Sequence, residues 1–168
     1  MGLQKKIRLL FMALLTITFV NAQNKPASPA AVATGKINGA TITINYCSPS
    51  VKGRVIWGEL VPFNKVWRAG ANDATTFETD KELTIEGKKL PAGKYSFFVL
   101  PNEKVCVIIF NKIAKQWGAF KYNEAEDQLR VTVKQQIADS STESLIYSIN
   151  KNAVVLTWEK WNIPFSVK

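Results

Sequence analysis

Lys36 to Tyr46 reads KINGATITINY, and the fold class turns on this stretch. Asn38-Gly39 lies between two β-prone runs, which is the strongest short-range hairpin signal because both residues tolerate the positive φ of a type I′ turn. Beyond the turn, Thr41 to Tyr46 alternates, with Ile42, Ile44 and Tyr46 on one face. A period of two marks a strand with one face buried. The same period returns near the end of the chain. There Leu129, Val131 and Val133 alternate with Arg130, Thr132 and Lys134, and Ile163, Phe165 and Val167 with Pro164, Ser166 and Lys168.

Working outward, Leu145 to Asn150 and Ala153 to Trp158 flank Asn150-Lys151-Asn152 as a further hairpin. In the middle, Leu83 to Ile85, Tyr95 to Leu100 and Val105 to Asn111 are separated by turns at Glu86-Gly87, Pro91-Ala92-Gly93 and Pro101-Asn102-Glu103. Each turn has a backbone reason in its glycine, proline or asparagine. Val105 to Phe110 is apolar on both parities and predicts a central strand. Asn123 could cap one helical turn within Tyr122 to Asp127, too short to stand as a helix by itself. Nine or ten strands with no amphipathic helix predict an all-β antiparallel β-sandwich or jelly roll as a single domain over 35–168.

The amino-terminal end sets the expected compartment. Lys5, Lys6 and Arg8 precede an apolar run from Leu9 to Val20, and Val20-Asn21-Ala22 has the form of a signal-peptidase site. A run this short reaches only about 18 Å against the roughly 30 Å hydrocarbon core of a bilayer, so 1–22 reads as a cleavable signal peptide rather than a membrane anchor. Residues 23–34 (QNKPASPAAVAT) read as a flexible lead-in. The expected mature protein is secreted or periplasmic. Cleavage removes three basic residues and no acid, lowering the formal net charge from +9 to +6. Lys and Arg are scattered, the pattern of a solvated surface, and nucleic acid is not expected as a partner. An anionic envelope polymer or an acidic partner fits better. The sequence carries no signal for oligomeric state.

Cys47 and Cys106 are the two cysteines, and both fall in strand-like runs. An oxidising compartment allows a bridge. A buried free thiol also packs as a small apolar group and needs no partner, so two free thiols are the expectation.

Ser48 to Thr76 breaks the alternation and concentrates groups that could bind. Lys52, Arg54 and Arg68 could hold a carboxylate, phosphate or sulfate, and Trp57 or Trp67 could offer a face to a sugar ring, with Asn72 and Asp73 beside them. These seven are the candidate ligand-binding residues, for a small anionic or carbohydrate-like molecule or an envelope partner. A structural reading stands beside this one: Trp67 as core, and Arg68 paired with Asp73 across a turn. Gln116-Trp117-Gly118 reads as a core plug or lid more than as a second aromatic contact.

Histidine is absent from the chain, which excludes Ser-His-Asp and Cys-His catalysis and His-ligated zinc. No catalytic residue, metal or cofactor is assigned. A carboxylate-dependent hydrolase acting on a glycan stays as an alternative, with Glu59, Asp73 and Glu78 as the acids near the loop, and a purely structural interaction module as another. Asn72-Asp73 offers too few oxygens for calcium.

PSVKGR at 49–54, WGELVPFNKVWRAGANDATT at 57–76, KKLPAGKYSFFVLP at 88–101, QWG at 116–118 and LRV at 129–131 together resemble the secreted bacterial domain-of-unknown-function family 2911. The resemblance is close over Tyr46 to Lys134 and looser over the last strands. It implies an exported or envelope protein of one domain, with no activity or catalytic residue to carry over. It also implies a carboxylate at position 73 and no family-wide role for the Cys47 thiol.

Overall fold

The computed structural model describes residues 27–168. The signal peptide reading at 1–22 and the first part of the lead-in lie outside the described residues. Ten strands follow: β1 (Ala30–Ile37), β2 (Ala40–Cys47), β3 (Thr76–Thr79), β4 (Leu83–Ile85), β5 (Lys88–Leu90), β6 (Gly93–Pro101), β7 (Cys106–Asn111), β8 (Asp127–Val133), β9 (Gln136–Ile149) and β10 (Ala153–Ser166). Asn38 and Gly39 both take positive φ, 49° and 77°, and close the β1–β2 hairpin as expected. A single 3-10 turn at Glu124–Glu126 is capped by Asn123, whose Oδ1 accepts from Ala125 N at 3.1 Å.

One six-stranded antiparallel sheet has the order β1-β2-β3-β6-β7-β8. Its neighbours run in chain order apart from the small β4–β5 hairpin, so the sheet is a meander and the architecture a sandwich rather than a jelly roll. The second layer is the long β9–β10 hairpin, turned at Asn150, whose amide donates to Ala153 O at 2.8 Å. Between the layers, Ile42, Ile44, Phe77, Phe97, Ile108, Phe110 and Val131 of the large sheet meet Leu145, Leu156, Trp158, Ile163 and Phe165 of the hairpin. Phe165 packs against Phe97 with ring centroids 5.7 Å apart. β7 lies between β6 and β8 with both faces covered, which accounts for its unbroken apolar run.

β1 begins at Ala30, inside the stretch read as lead-in. Its small residues carry weak strand preference of their own, and full-length pairing with β2 (Ala30↔Cys47 through Ile37↔Ala40) places them in the sheet. Cys47, at the end of β2, and Cys106, buried in β7, are free thiols.

Candidate functional site

The Ser48 to Thr76 segment divides between two places. Its first half closes one end of the sandwich with an aromatic cluster. Trp57 stacks on Trp161 of β10 with centroids 4.3 Å apart and planes 9° apart, and meets Trp67 edge-on at 5.6 Å. Trp67 stacks on Trp158 at 5.8 Å, and Phe63 on Trp161 at 6.0 Å. Trp67 is buried, its Nε1 donates to Gly70 O at 3.2 Å, and its backbone pairs with Val99. The buried Nε1 of Trp57 has no partner.

The basic groups of this half serve the loop. Arg54 Nε donates to Val51 O at 3.0 Å and its terminal nitrogen to Ser50 O at 2.5 Å, so the exposed side chain latches its own turn. Exposed Lys52 takes a positive φ of 49°, and its backbone amide donates to Glu143 Oε1. Arg68 and Asp73 form no ion pair. Arg68 is half-buried with its Nε unpartnered. Desolvation lowers its pKa from the usual range, an effect opposed by the neighbouring Cys47.

The second half of the segment leads to a cleft of about 500 Å³ on the outer face of the large sheet. Antiparallel partners share a face, so the register sets a row across the strands: Val32 of β1, Asn45 of β2, Thr76 of β3, Ser96 of β6 and Asn111 of β7. Gln116 roofs the far part of this row. Its Nε2 donates to Ser96 Oγ at 3.0 Å, Asn111 Oδ1 at 3.1 Å and Ile113 O at 2.9 Å. Val32, Asn45 and Thr76 are left as the floor of the cleft, with Cys47 and Lys94 at its margins and Asp73, Ala74, Ala114 and Lys115 in its walls. The walls are tied together by Ala74 N to Gln116 O at 2.9 Å and Gly118 N to Asn72 O at 3.1 Å.

A buried carboxylate fixes the roof. Asp127, on β8, accepts from Asn111 Nδ2 at 2.8 Å, Tyr122 Oη at 2.5 Å and Arg130 at 3.0 Å. Asn111 is thereby oriented with its oxygen toward Gln116. Three acceptors surround Gln116 Nε2, and Gln116 Oε1 is turned away without a partner. Burial and the Asp127 bond raise the Tyr122 pKa well above that of a free phenol.

Of the seven predicted binding residues only Asp73 lines the cleft; exposed Asn72 supports a wall through its carbonyl. Of the three acids considered for hydrolysis, Asp73 again is the one that lines it. Glu78 pairs with Lys94 at 3.2 Å, and Glu59 is exposed on the aromatic-end loop. Among the described residues no group of three or more His, Cys, Asp or Glu is placed to hold a metal ion. In QWG the buried residue is Gln116, whereas Trp117 is 64% exposed and plugs no core. The amide network draws Gln116 inward, and the next side chain of the extended wall points out. Asn45, Thr76, Lys94, Lys115 and Gln116 were not legible as one site. They come from separate segments, and only the strand register aligns them. Polar residues at outward parity in otherwise apolar strands are the signal they left.

A model of the family described as "Protein of unknown function (DUF2911)" matches residues 28–167. No curated protein and no solved structure matched the chain.

Proposed function

The chain belongs to the DUF2911 family, and we propose that it is an exported binding protein that holds a small anionic molecule in the outer-face cleft. One observation carries the reading. Lys115, a cation with no carboxylate partner among the described residues, stands in the wall of a cleft whose floor offers the Asn45 amide and the Thr76 hydroxyl. Lys94 stands at the margin with its ammonium paired to Glu78 at 3.2 Å, and Asp73 is the one acid in the lining. Ala30, Ala31, Val32, Ala74 and Ala114 give the ligand apolar contact. A few polar groups on a largely apolar lining is the usual make-up of a small-molecule site. The loop bearing Lys52, Arg54, Trp57 and Trp67 is scaffold in this reading.

The test is a thermal-shift panel of small carboxylates, phosphates and sulfated sugars, followed by titration of any hit. A ligand at a hundred times its dissociation constant adds about 2.7 kcal/mol of stability. Lys115→Ala should weaken such a ligand by about tenfold or more, the worth of a hydrogen bond to a charged group, while leaving the unliganded melt within about 0.5 kcal/mol. Bound ligand should also slow alkylation of Cys47. Hits that bind Lys115→Ala as tightly as wild type and leave Cys47 alkylation unchanged would place binding elsewhere. The export half of the proposal expects the protein outside the cytoplasm with Gln23 at or near its amino terminus; exported material that retains Met1 would defeat it.

A further inference from the structure

Among the described residues, the outer edge of β1 differs from every other strand edge. A two-residue turn at Asn38-Gly39 makes Ile37↔Ala40 the closing hydrogen-bonded pair, and in an antiparallel ladder such pairs alternate. Ala31, Ala33 and Gly35 therefore bond to β2 as well. The bond from Ser48 N to Pro29 O at 2.8 Å continues the same phase. It follows that the amides and carbonyls of Ala30, Val32, Thr34 and Lys36 point away from β2, where no described backbone group meets them.

Exposed edges are ordinarily guarded by charge, proline, bulges or short length. β8, at the other edge of the sheet, carries Asp127 and Arg130, has a register shift at Phe110/Asn111, and has the Arg130 carbonyl covered by Lys88 Nζ at 3.2 Å. β10 has two register shifts and carries Glu159, Lys160 and Pro164, and β9 carries Asp139 and Glu143. β4 and β5 are three residues each. β1 has none of these guards from Ala30 to Gly35: its register is unbroken, it holds no charge or proline, and Val32 is 62% exposed.

We infer that β1 is a self-association edge, at which two copies of this chain join antiparallel, β1 to β1, into one continuous sheet. The strand is self-complementary in one register. With Ala30 opposite Lys36 of the second copy and Val32 opposite its Thr34, every outward amide and carbonyl from Ala30 to Lys36 finds a partner. The only charges, the two Lys36 side chains, then lie six residues apart, about 20 Å at a strand's rise, beyond the roughly 8–10 Å screening length of physiological salt. Ala30, Val32 and Thr34 are small at their outward positions, and the long Lys36 side chain, at each end of the ladder, is exposed, so no steric obstacle lies along the ladder itself. The contact is narrow, which fits a reversible, concentration-dependent dimer rather than an obligate one. The two clefts, each lined by Ala30 to Val32, would flank the joint.

Sedimentation velocity across micromolar to millimolar protein, paired with amide hydrogen exchange, tests this. A monomer–dimer equilibrium is expected, with the Val32 and Thr34 amides exchanging quickly in the monomer and protected in the dimer. Val32→Pro deletes one outward donor and none of the β2-facing ones, and should abolish the dimer while preserving the melt. Should that variant fold poorly, Val32→Lys leaves the backbone intact. It sets two like charges on the diagonal across the joint, about 7–8 Å apart, and should weaken the dimer by about fivefold or more. A chain that stays monomeric throughout overturns the inference, and so does a dimer that survives both variants. Protected Val32 and Thr34 amides in a monomer would show that another part of the chain covers the edge, and would overturn it as well.

Discussion

Cys47 and Cys106 are both free thiols in strands of one sheet, yet burial separates their chemistry. Cys106 has no exposed surface, and desolvation pushes its pKa from 9.0 up to about 11. Cys47 borders the open cleft. An alkylating reagent near neutral pH should therefore modify one thiol in the native protein, at Cys47, and two after unfolding; mass spectrometry of peptides reads the sites. Because folding keeps the Cys106 proton to higher pH, its contribution to stability is complete below about pH 9 and is lost as the pH rises to about 11. Alkaline melts of wild type and Cys106→Ala should converge over that window. The charged residues contrast in the same way. Asp127 is nearly enclosed, with its side chain 5% exposed against Arg130, whereas Arg54 holds two carbonyls at the surface. Asp127→Ala removes an acceptor shared by Arg130, Asn111 and Tyr122, although Arg130 keeps Glu124 at 3.2 Å and Asn111 keeps Asn123 O at 3.0 Å, and should cost about 1–3 kcal/mol in urea unfolding. Arg54→Ala should cost about 1 kcal/mol or less. Sequence reading sought the structural ion pair at Arg68 and Asp73, close together in an unusual loop. The pair formed instead within Asp127-Gln128-Leu129-Arg130, where period-two alternation marked Arg130 only as an outward strand residue.

Strands were legible wherever a turn residue had a backbone reason and the flanking side chains alternated. Asn38-Gly39 and Glu86-Gly87 take the positive φ values their hairpins need. The start of β1 was not legible, because Ala30, Ala31 and Ala33 have little strand preference and dilute that of Val32 and Thr34, and the pairing with β2 fixes the strand. Gly35 shows what that pairing demands on the inner face. A Cβ built there would lie 2.7 Å from Ile149 Cγ2 and 2.9 Å from Ile149 Cβ, at the point where β1 crosses β9. The glycine is required by this close approach and not by a left-handed φ. Gly35→Ala should destabilise the protein by about 1–3 kcal/mol, the usual range for overpacking, since the contact outweighs the few tenths to 1 kcal/mol gained by stiffening the unfolded chain. A Gly35→Ala, Ile149→Ala double variant should be less unstable than the sum of the two single changes. Strict additivity would show that the strands separate without strain.

At the scale of the whole molecule, the aromatic end and the cleft lie on opposite faces of one sheet and share its strands. Val99 of β6 bonds to Trp67 in the aromatic cluster, while Ser96, three residues earlier on the same strand, bonds to the Gln116 roof. Thr75 N donates to Arg68 O at 3.2 Å, and Phe97 N to Thr75 O at 2.7 Å, so the segment joining the two places is itself stitched to β6. The main core spans both layers from Ile37 to Val167, and a second small cluster of Ala74, Phe98 and Ile109 sits on the outer face of the same sheet. A local opening of the cleft would therefore have to break the ladder that also seats the tryptophans. Small domains whose layers share a sheet ordinarily unfold in an all-or-none step. Two probes should then report the same urea midpoint: tryptophan fluorescence, dominated by the indoles stacked on Trp158 and Trp161, and the exposure of Cys106 to alkylation, which reads the interior of β7. Cys47 would respond before the transition because it is already accessible at the cleft margin, and so serves as the internal control. A Cys106 midpoint well below the fluorescence midpoint would mean that β7 and β8, with the Asp127 network they carry, come apart as a separate unit while the aromatic end stays closed.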